Sequence, residues 1–247
     1  MELLTNLPPA VMIHTSSSPR PPASRAFSLI EMLVVVTIIV LLLAFSAPAL
    51  SRTLMASKLA SAGESLFGAI SEAQQIAYAS NVPVELRFFK VPDAFGANPA
   101  YRSYQIFKII QVTEGTGAAA NVKESLEPAN NLVNLPESVI IVADDTLSPA
   151  LKGDGLPDSK EGSSVGYSGV QTAVYNAWRF MPDGSCRKVG QATGGFATLE
   201  YQTLTESFIT LTIESGQAIT MQNLPKNFFT IQVDPFTGKA RSYKPGF

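Results

Sequence analysis

Few residues in this chain could do chemistry, and one of them is oddly placed. Glu31 is a lone acid near the start of the apolar stretch RAFSLIEMLVVVTIIVLLLAFSAPAL, residues 25–50. A carboxylate in hydrocarbon costs roughly 2.5–3.5 kcal/mol on insertion scales. A plain anchor would leave it out, so Glu31 needs either a positive partner or a route to the membrane interface. Cys186 and His14 are the single cysteine and the single histidine. One thiol closes no intrachain disulfide, and a lone cysteine reads as a small core residue rather than a nucleophile. His14 lies in the N-terminal tail, so the rest of the chain has no histidine. That removes Ser-His-Asp triads, Cys-His dyads and the usual histidine-bearing zinc sites. No Gly-rich phosphate loop follows a strand. The expectation is a chain with no catalytic residues, no metal and no cofactor.

Two charged groups remain. Asp144, Asp145, Asp154, Asp158 and Glu161 cluster within DDTLSPALKGDGLPDSKEGSSVG. Oxygen ligands on a loop could hold Ca²⁺, but the spacing matches no EF-hand, and the Gly/Pro content favours a solvated acidic loop. Near the C-terminus, GKARSYK holds Lys239, Arg241 and Lys244 with Tyr243 among them. On a strand, Lys239, Arg241 and Tyr243 fall on one face and Lys244 on the other. Basic groups beside an aromatic could contact phosphate and stack a base. Three charges are few for nucleic acid, the net charge of −2 gives no global pull toward it, and edge strands carry Lys to prevent edge pairing.

The elements that must position these residues follow from the periodicity. A chain of 247 residues, 46% hydrophobic and 15% charged, suits one globular domain with appendages. Residues 1–26 form a tail rich in Ser and Pro with no periodic apolar face. Met32 to Ser51 is 20 residues without a formal charge. As a helix this spans about 30 Å, the hydrocarbon thickness of a membrane. It is too long for the apolar region of a signal peptide, although SAPAL imitates a cleavage site. Arg20 and Arg25 precede it and Arg52 and Lys58 follow, a modest preference for a cytoplasmic N-terminus. Pro48 should kink or loosen the helix by removing a backbone donor. Beyond it, Leu59, Ala62, Leu66, Ala69/Ile70, Ala73 and Ile76/Ala77 recur at spacings of three and four, predicting an amphipathic continuation that ends near Ser80 and Asn81. From Val82 the period changes to that of strands: VPVELRFFKV, YRSYQIFKIIQV, SVIIVA, AVYNAWRFM, FATLEYQTL, FITLTIE and FFTIQV. TEGTGAAANVKESLEPANN, from Thr113, reads as a loop. PDGS (182–185) and DPFTGK (234–239) read as turns joining strands. The segments are therefore 1–26, 27–51, 52–81 and 82–247. The fold class is α+β, a long N-terminal helix packed on an antiparallel β-sheet.

A basic leader, the small residue Ala26, then Phe27 and Ser-Leu-Ile-Glu before an apolar helix together resemble the N-terminus of type IV pilins and type II secretion pseudopilins. The resemblance implies a cytoplasmic leader, residues 1–26, removed by prepilin peptidase between Ala26 and Phe27, with N-methylation of Phe27 by the same enzyme. The family usually has Gly where this chain has Ala26. It further implies that Glu31 meets the positive N-terminal amine of a neighbouring subunit, that Pro48 is the helix-loosening proline, and that other pilins or pseudopilins pack against residues 27–51 in the inner membrane. The globular part would then be periplasmic. KLASAGESLFGAISEAQQIAYASNVPVELRFF resembles the helix-to-strand passage of H-type minor pseudopilins and FimT-type minor pilins. WRFMPDGS and DPFTGKARS resemble their strand–turn–strand elements. The overall layout is also similar to the pilin-like D proteins of a four-gene cassette of Verrucomicrobia. The implied role is a structural subunit of a pilus or pseudopilus rather than an enzyme. The alternative is a membrane-anchored periplasmic binding module, such as a DNA-binding minor pilin using Lys239, Arg241 and Lys244.

Overall fold

The structure, a computed structural model, describes residues 27–91, 100–115, 120–153, 155–157, 174–193 and 195–245, with the side chains of 45–49 left aside. The chain divides into two compact units, Met1–Pro48 and Ala49–Phe247. One long helix, α1 (Leu29–Ser80), contributes to both.

In the first unit, the helical side chains described, residues 29–44, are exposed all round. Leu29, Ile30, Leu33, Val36, Ile39 and Leu42 are among the large apolar groups left bare. Among the described residues, no helix is long and apolar enough to cross a membrane. The uncharged run of the sequence continues past Ala44 to Ser51.

The second unit is an antiparallel sheet packed on the rest of α1. Its strands are β1 (Val84–Val91), β2 (Ala100–Glu114), β3 (Asn121–Pro128), β4 (Val133–Asn134), β5 (Val139–Ile141), β6 (Leu156–Pro157), β7 (Val174–Phe180), β8 (Cys186–Thr193), β9 (Phe196–Glu200), β10 (Phe208–Ile213), β11 (Phe228–Val233) and β12 (Ala240–Tyr243). The main path runs β12-β11-β10-β5-β2-β1-β7-β8-β9, with β3 and β4 on β2 and β6 on β7. The fold is α+β, as the segregated periodicities predict.

The predicted helical stripe is the buried one. Leu59, Ala62, Leu66, Ala69, Ile70, Ala73 and Ala77 are all at most 6% exposed. They pack with Leu86, Phe88, Ile106, Trp178, Phe180, Leu211, Phe229 and Ile231 in the main core. Each large side chain so buried contributes about 1.5–3 kcal/mol by removal from water. Phe88 meets Trp178 edge-on, ring centroids 5.4 Å apart. Gly63 is what lets α1 approach β11, because a Cβ there would lie 2.4 Å from the Phe229 ring. Past Ser80 the chain leaves the helix through Asn81 at φ 52, a left-handed cap that Asn tolerates.

β1 is buried on both faces. Opposite the helix, Phe89, Val91, Phe107, Tyr175, Ala177 and Val189 form a second core. Its cover corrects one expectation, that residues from Thr113 onward form a loop. β2 runs on to Glu114 and β3 pairs back along it, from Phe107↔Pro128 to Glu114↔Asn121. β3 then meets the start of β9, the Glu124 N–H donating to the Gly195 carbonyl at 3.0 Å. The sheet thus curls over its own far face.

Both predicted turns are present. Asp183 accepts from the Ser185 N–H at 2.8 Å between β7 and β8. The Asp234 N–H donates to the Lys239 carbonyl at 2.9 Å between β11 and β12. The two turns, read separately in sequence, touch: the Cys186 N–H donates to the Pro235 carbonyl at 2.8 Å. Gln74 of α1 ties in through a 2.7 Å bond from its side-chain amide to the Thr237 carbonyl.

Candidate functional site

The start of α1 is built by three residues. Phe27 and Ser28 are not yet helical, and the helix begins at Leu29. The Ser28 hydroxyl accepts the Glu31 N–H at 3.2 Å. The Ser28 carbonyl accepts the N–H groups of Glu31 at 3.1 Å and Met32 at 3.2 Å. Ser28 is therefore the N-cap and Glu31 the third helical residue, which is the spacing of a capping box. The reading of the sequence passed over Ser28, although Ser-x-x-Glu ahead of an apolar run was the signal for it. The geometry gives Glu31 one source of compensation inside its own chain. A carboxylate in the first turn faces the partial positive charge of the helix N-terminus. Glu31 and Phe27 are both exposed, Phe27 at 71%. Ala26 lies outside the described residues. α1 continues through Pro48, whose side chain lies outside them too.

The C-terminal cations do not form one patch. Lys239, Arg241, Tyr243 and Lys244 are all exposed. Lys244 turns to the helix side, pairing with Glu64 at 2.6 Å and lying 4.8 Å from the Phe229 ring centroid. Tyr243 lies on the opposite face, its hydroxyl donating to Gln232 at 3.2 Å. The strand parity predicted this division. What remains on the outer face is Arg241 beside Tyr243, with Lys239 at the turn.

The acidic cluster is only partly within the described residues; Asp154, Asp158 and Glu161 lie outside them. Asp144 is a turn-former. One of its carboxylate oxygens accepts the N–H groups of Thr146 at 2.9 Å and Leu147 at 3.1 Å, and also the Thr146 hydroxyl. The Thr146 bond, with those of the two amides, holds its carboxyl below the usual carboxylate range. Cys186 is buried in the main core, and burial pushes its thiol far up, away from reactivity.

A further constellation escaped the reading of the sequence. On the far face of β1, Glu85 and Arg87 point into the second layer, with Arg179 of β7 and Glu124 of β3. Glu85 accepts from Arg87 Nε at 2.9 Å and from Arg179 Nε at 3.0 Å and Nη2 at 2.5 Å. Arg179 binds Glu124 in bidentate fashion, Nη1 at 2.7 Å and Nη2 at 2.8 Å. Arg87 lies over the Tyr175 ring at 4.0 Å and the Phe107 ring at 5.3 Å. Burial alone would raise the Glu85 carboxyl, but the charges and hydrogen bonds of Arg87 and Arg179 outweigh it and hold it below its ordinary value. Arg179 is itself desolvated, yet Glu124 and Glu85 keep it firmly protonated. Two carboxylates are matched by two guanidiniums. A groove of about 650 Å³ opens beside the network, and there Lys123 pairs with Glu114. The arrangement cross-links β1, β3 and β7.

No curated protein and no solved structure matches the chain. Residues 22–47 match the family model described as the prokaryotic N-terminal methylation motif. The matched segment contains Ala26, Phe27, the Ser28 cap and Glu31, so the start of this chain carries the prepilin-type signal that marks pilins and pseudopilins broadly.

Proposed function

We propose that the chain is a pilin-like structural subunit, processed by prepilin peptidase and assembled through its N-terminal helix into a type IV pilus or type II secretion pseudopilus. The observation that carries this reading is the methylation motif over residues 22–47, with Glu31 on the first turn of a capped helix whose side chains over residues 29–44 are exposed and, apart from Glu31 and Thr37, apolar. Prepilin peptidase cuts between Ala26 and Phe27 and methylates the Phe27 amine. The charge-free run to Ser51 holds the subunit in the inner membrane, N-terminus in the cytoplasm and residues 82–247 in the periplasm. In a bundle of such helices, Glu31 lies beside a neighbour's Phe27 amine. The acid thereby favours the packed state over the isolated helix and sets its register. Similarity of the helix-to-strand passage to H-type minor pseudopilins, and of the layout to the D proteins of the Verrucomicrobia cassette, favours a minor subunit over a major one. A DNA-binding module is the weaker reading, because Lys244 is engaged with Glu64 on the opposite face from Arg241.

The test is the intact mass of the membrane-bound protein. It should begin at Phe27 and carry one added methyl group. Material beginning after Ala47 or Ala49 would mean an ordinary signal peptide and end the pilin reading.

A further inference from the structure

At one end of the sheet path, β12 has β11 on one side and no strand on the other among the described residues. Which of its backbone groups face outward follows from the hairpin. The Asp234 N–H donates to the Lys239 carbonyl and its own carbonyl accepts the Gly238 N–H at 2.7 Å, so 238 and 239 together oppose 234 at a hydrogen-bonded position, a bulge with Gly238 at φ 65. Pairing continues as Val233↔Ala240, Gln232↔Arg241, Ile231↔Ser242 and Thr230↔Tyr243. Hydrogen-bonded and non-hydrogen-bonded pairs alternate in an antiparallel ladder. Arg241 and Tyr243 therefore spend their N–H and C=O groups on β11, while those of Ala240 and Ser242 point away from it. The opposite strand agrees: the Val233 N–H goes to the Ser207 carbonyl at 2.9 Å, away from β12. At the opposite end of the path the situation differs, since the β9 region is met by Glu124 of β3 through both backbone and side chain.

Alternation also sorts the side chains along this edge. Lys244 falls toward the helix and is neutralised by Glu64. Arg241 falls on the outer face with Tyr243, next to Lys239 at the turn, and all three are exposed. Asp234, on the same hairpin, accepts the Phe236 N–H at 2.9 Å, and Arg241 is close enough for its charge to help hold that carboxyl low, yet Arg241 stays exposed to an outside acid.

We propose that the β12 edge is a docking site for an extended, acidic segment of another polypeptide, which adds as a further strand beside Ala240 and Ser242 and sets alternate carboxylates against Arg241 and Lys239. Backbone groups of this kind recognise a strand rather than a helix, and alternate side chains supply the specificity. The outer-face cations select acids at every second position. The inference does not rest on the N-terminal segment.

The experiment uses the full chain in detergent and a fluorescent heptapeptide of alternating Glu and Thr, read by anisotropy, with a Lys/Thr peptide as control. Binding of the acidic peptide only is expected. Ser242→Pro removes one outward donor and leaves the β11 ladder intact, because that N–H is not used there. It should weaken binding about tenfold, the equivalent of about one hydrogen bond. The double variant Lys239→Glu/Arg241→Glu should abolish binding of the acidic peptide and admit the Lys/Thr one. The Ser242→Pro protein should keep the wild-type unfolding midpoint. If it does not, Ser242→N-methyl-Ser by semisynthesis removes the same donor. The proposal is overturned by no binding of the acidic peptide, by equal binding after loss of the Ser242 donor, or by preferential capture of a single-stranded oligonucleotide that tracks Arg241 but not the Ser242 N–H. Self-association of the chain that is lost in Ser242→Pro while the peptide stays unbound would also overturn it, by assigning the edge to a second copy.

Discussion

Replacing Arg179 by Met should be among the most damaging single changes in the globular unit. The guanidinium makes four hydrogen bonds, two to Glu85 and two to Glu124. Met fills much of the same space with no charge. Glu124 is partly solvated, but Glu85 has no exposed surface and would keep Arg87 alone as its partner. Removing one member of a buried pair costs about 3–5 kcal/mol, a large share of the roughly 5–15 kcal/mol by which domains are stable. The pH dependence gives a second signature. In the wild type the Glu85 carboxyl is held below its ordinary value of 4.5. Its contribution is therefore complete above that value and is lost as pH falls through the lower, folded value. In the variant, burial is opposed by one arginine instead of two, so the folded carboxyl titrates at higher pH and protonation relieves it. The gap between wild type and variant should be widest near neutrality and should narrow below pH 4.5. Urea unfolding of the full chain in detergent, followed by the fluorescence of the single tryptophan, Trp178, measures both quantities. Trp178 is adjacent in sequence and lies in the main core on the other face of β7. A Glu85→Gln change on top of Arg179→Met should recover part of the loss. A gap under about 1 kcal/mol at pH 7, or one unchanged at about pH 3.5, would refute the argument that a buried, doubly held carboxylate organises this layer.

Other outcomes are expected at the helix. Gly63→Ala gains about 1 kcal/mol in helix propensity but drives a methyl into the Phe229 ring, so a net destabilisation of roughly 1–2 kcal/mol should appear in the same unfolding assay, relieved by Phe229→Leu. Ser28→Ala should cost about 0.5–2 kcal/mol of local helix stability, read as faster hydrogen exchange at the Glu31 and Met32 amides with no change at Leu66. Glu31→Leu should insert in the membrane at least as well as wild type, having lost a costly carboxylate, yet fail to crosslink with partner pilins through the N-terminal helices. Wild-type crosslinking by that variant would leave Glu31 as an acid that merely snorkels at the interface.

The parts of the fold that were legible in the sequence are those whose signals are local. The stripe from Leu59 to Ala77 repeats at helical spacing, so its buried face could be read directly. The strand FFTIQV was bounded correctly at both ends. β3 was misread because NVKESLEP has only Val122 and Leu126 as large apolar groups and a largely half-exposed surface. Its place comes from the long β2 beside it, which no local pattern reports. Nothing local to VPVELRFFKV marks Glu85 and Arg87 as buried, and only the distant β3, β7 and β9 turn that face into an interior. The need for Gly63 is set by Phe229, far along the chain, and so leaves no local signal. At the site, Glu31 stood out because a charge in an apolar run is conspicuous by itself. Ser28 did not, because serine is unremarkable until its partner three residues on is recognised.

The two-sided burial of β1 also imposes an order in time. Glu85 and Arg179 are 94 positions apart, and the β1–β7 ladder closes that span. Synthesis delivers α1 first, then β1 with its hairpin partner β2. At that stage the other edge of β1 is bare, and Glu85 and Arg87 have no Arg179 to complete them. An open edge on a hydrophobic strand invites wrong pairing, and contacts this distant form slowly. Until residue 180 has been made, that edge of β1 has no β7 to pair with. Because Arg179 stands opposite Glu85 in that ladder, covering the edge and completing the buried charges are one and the same step.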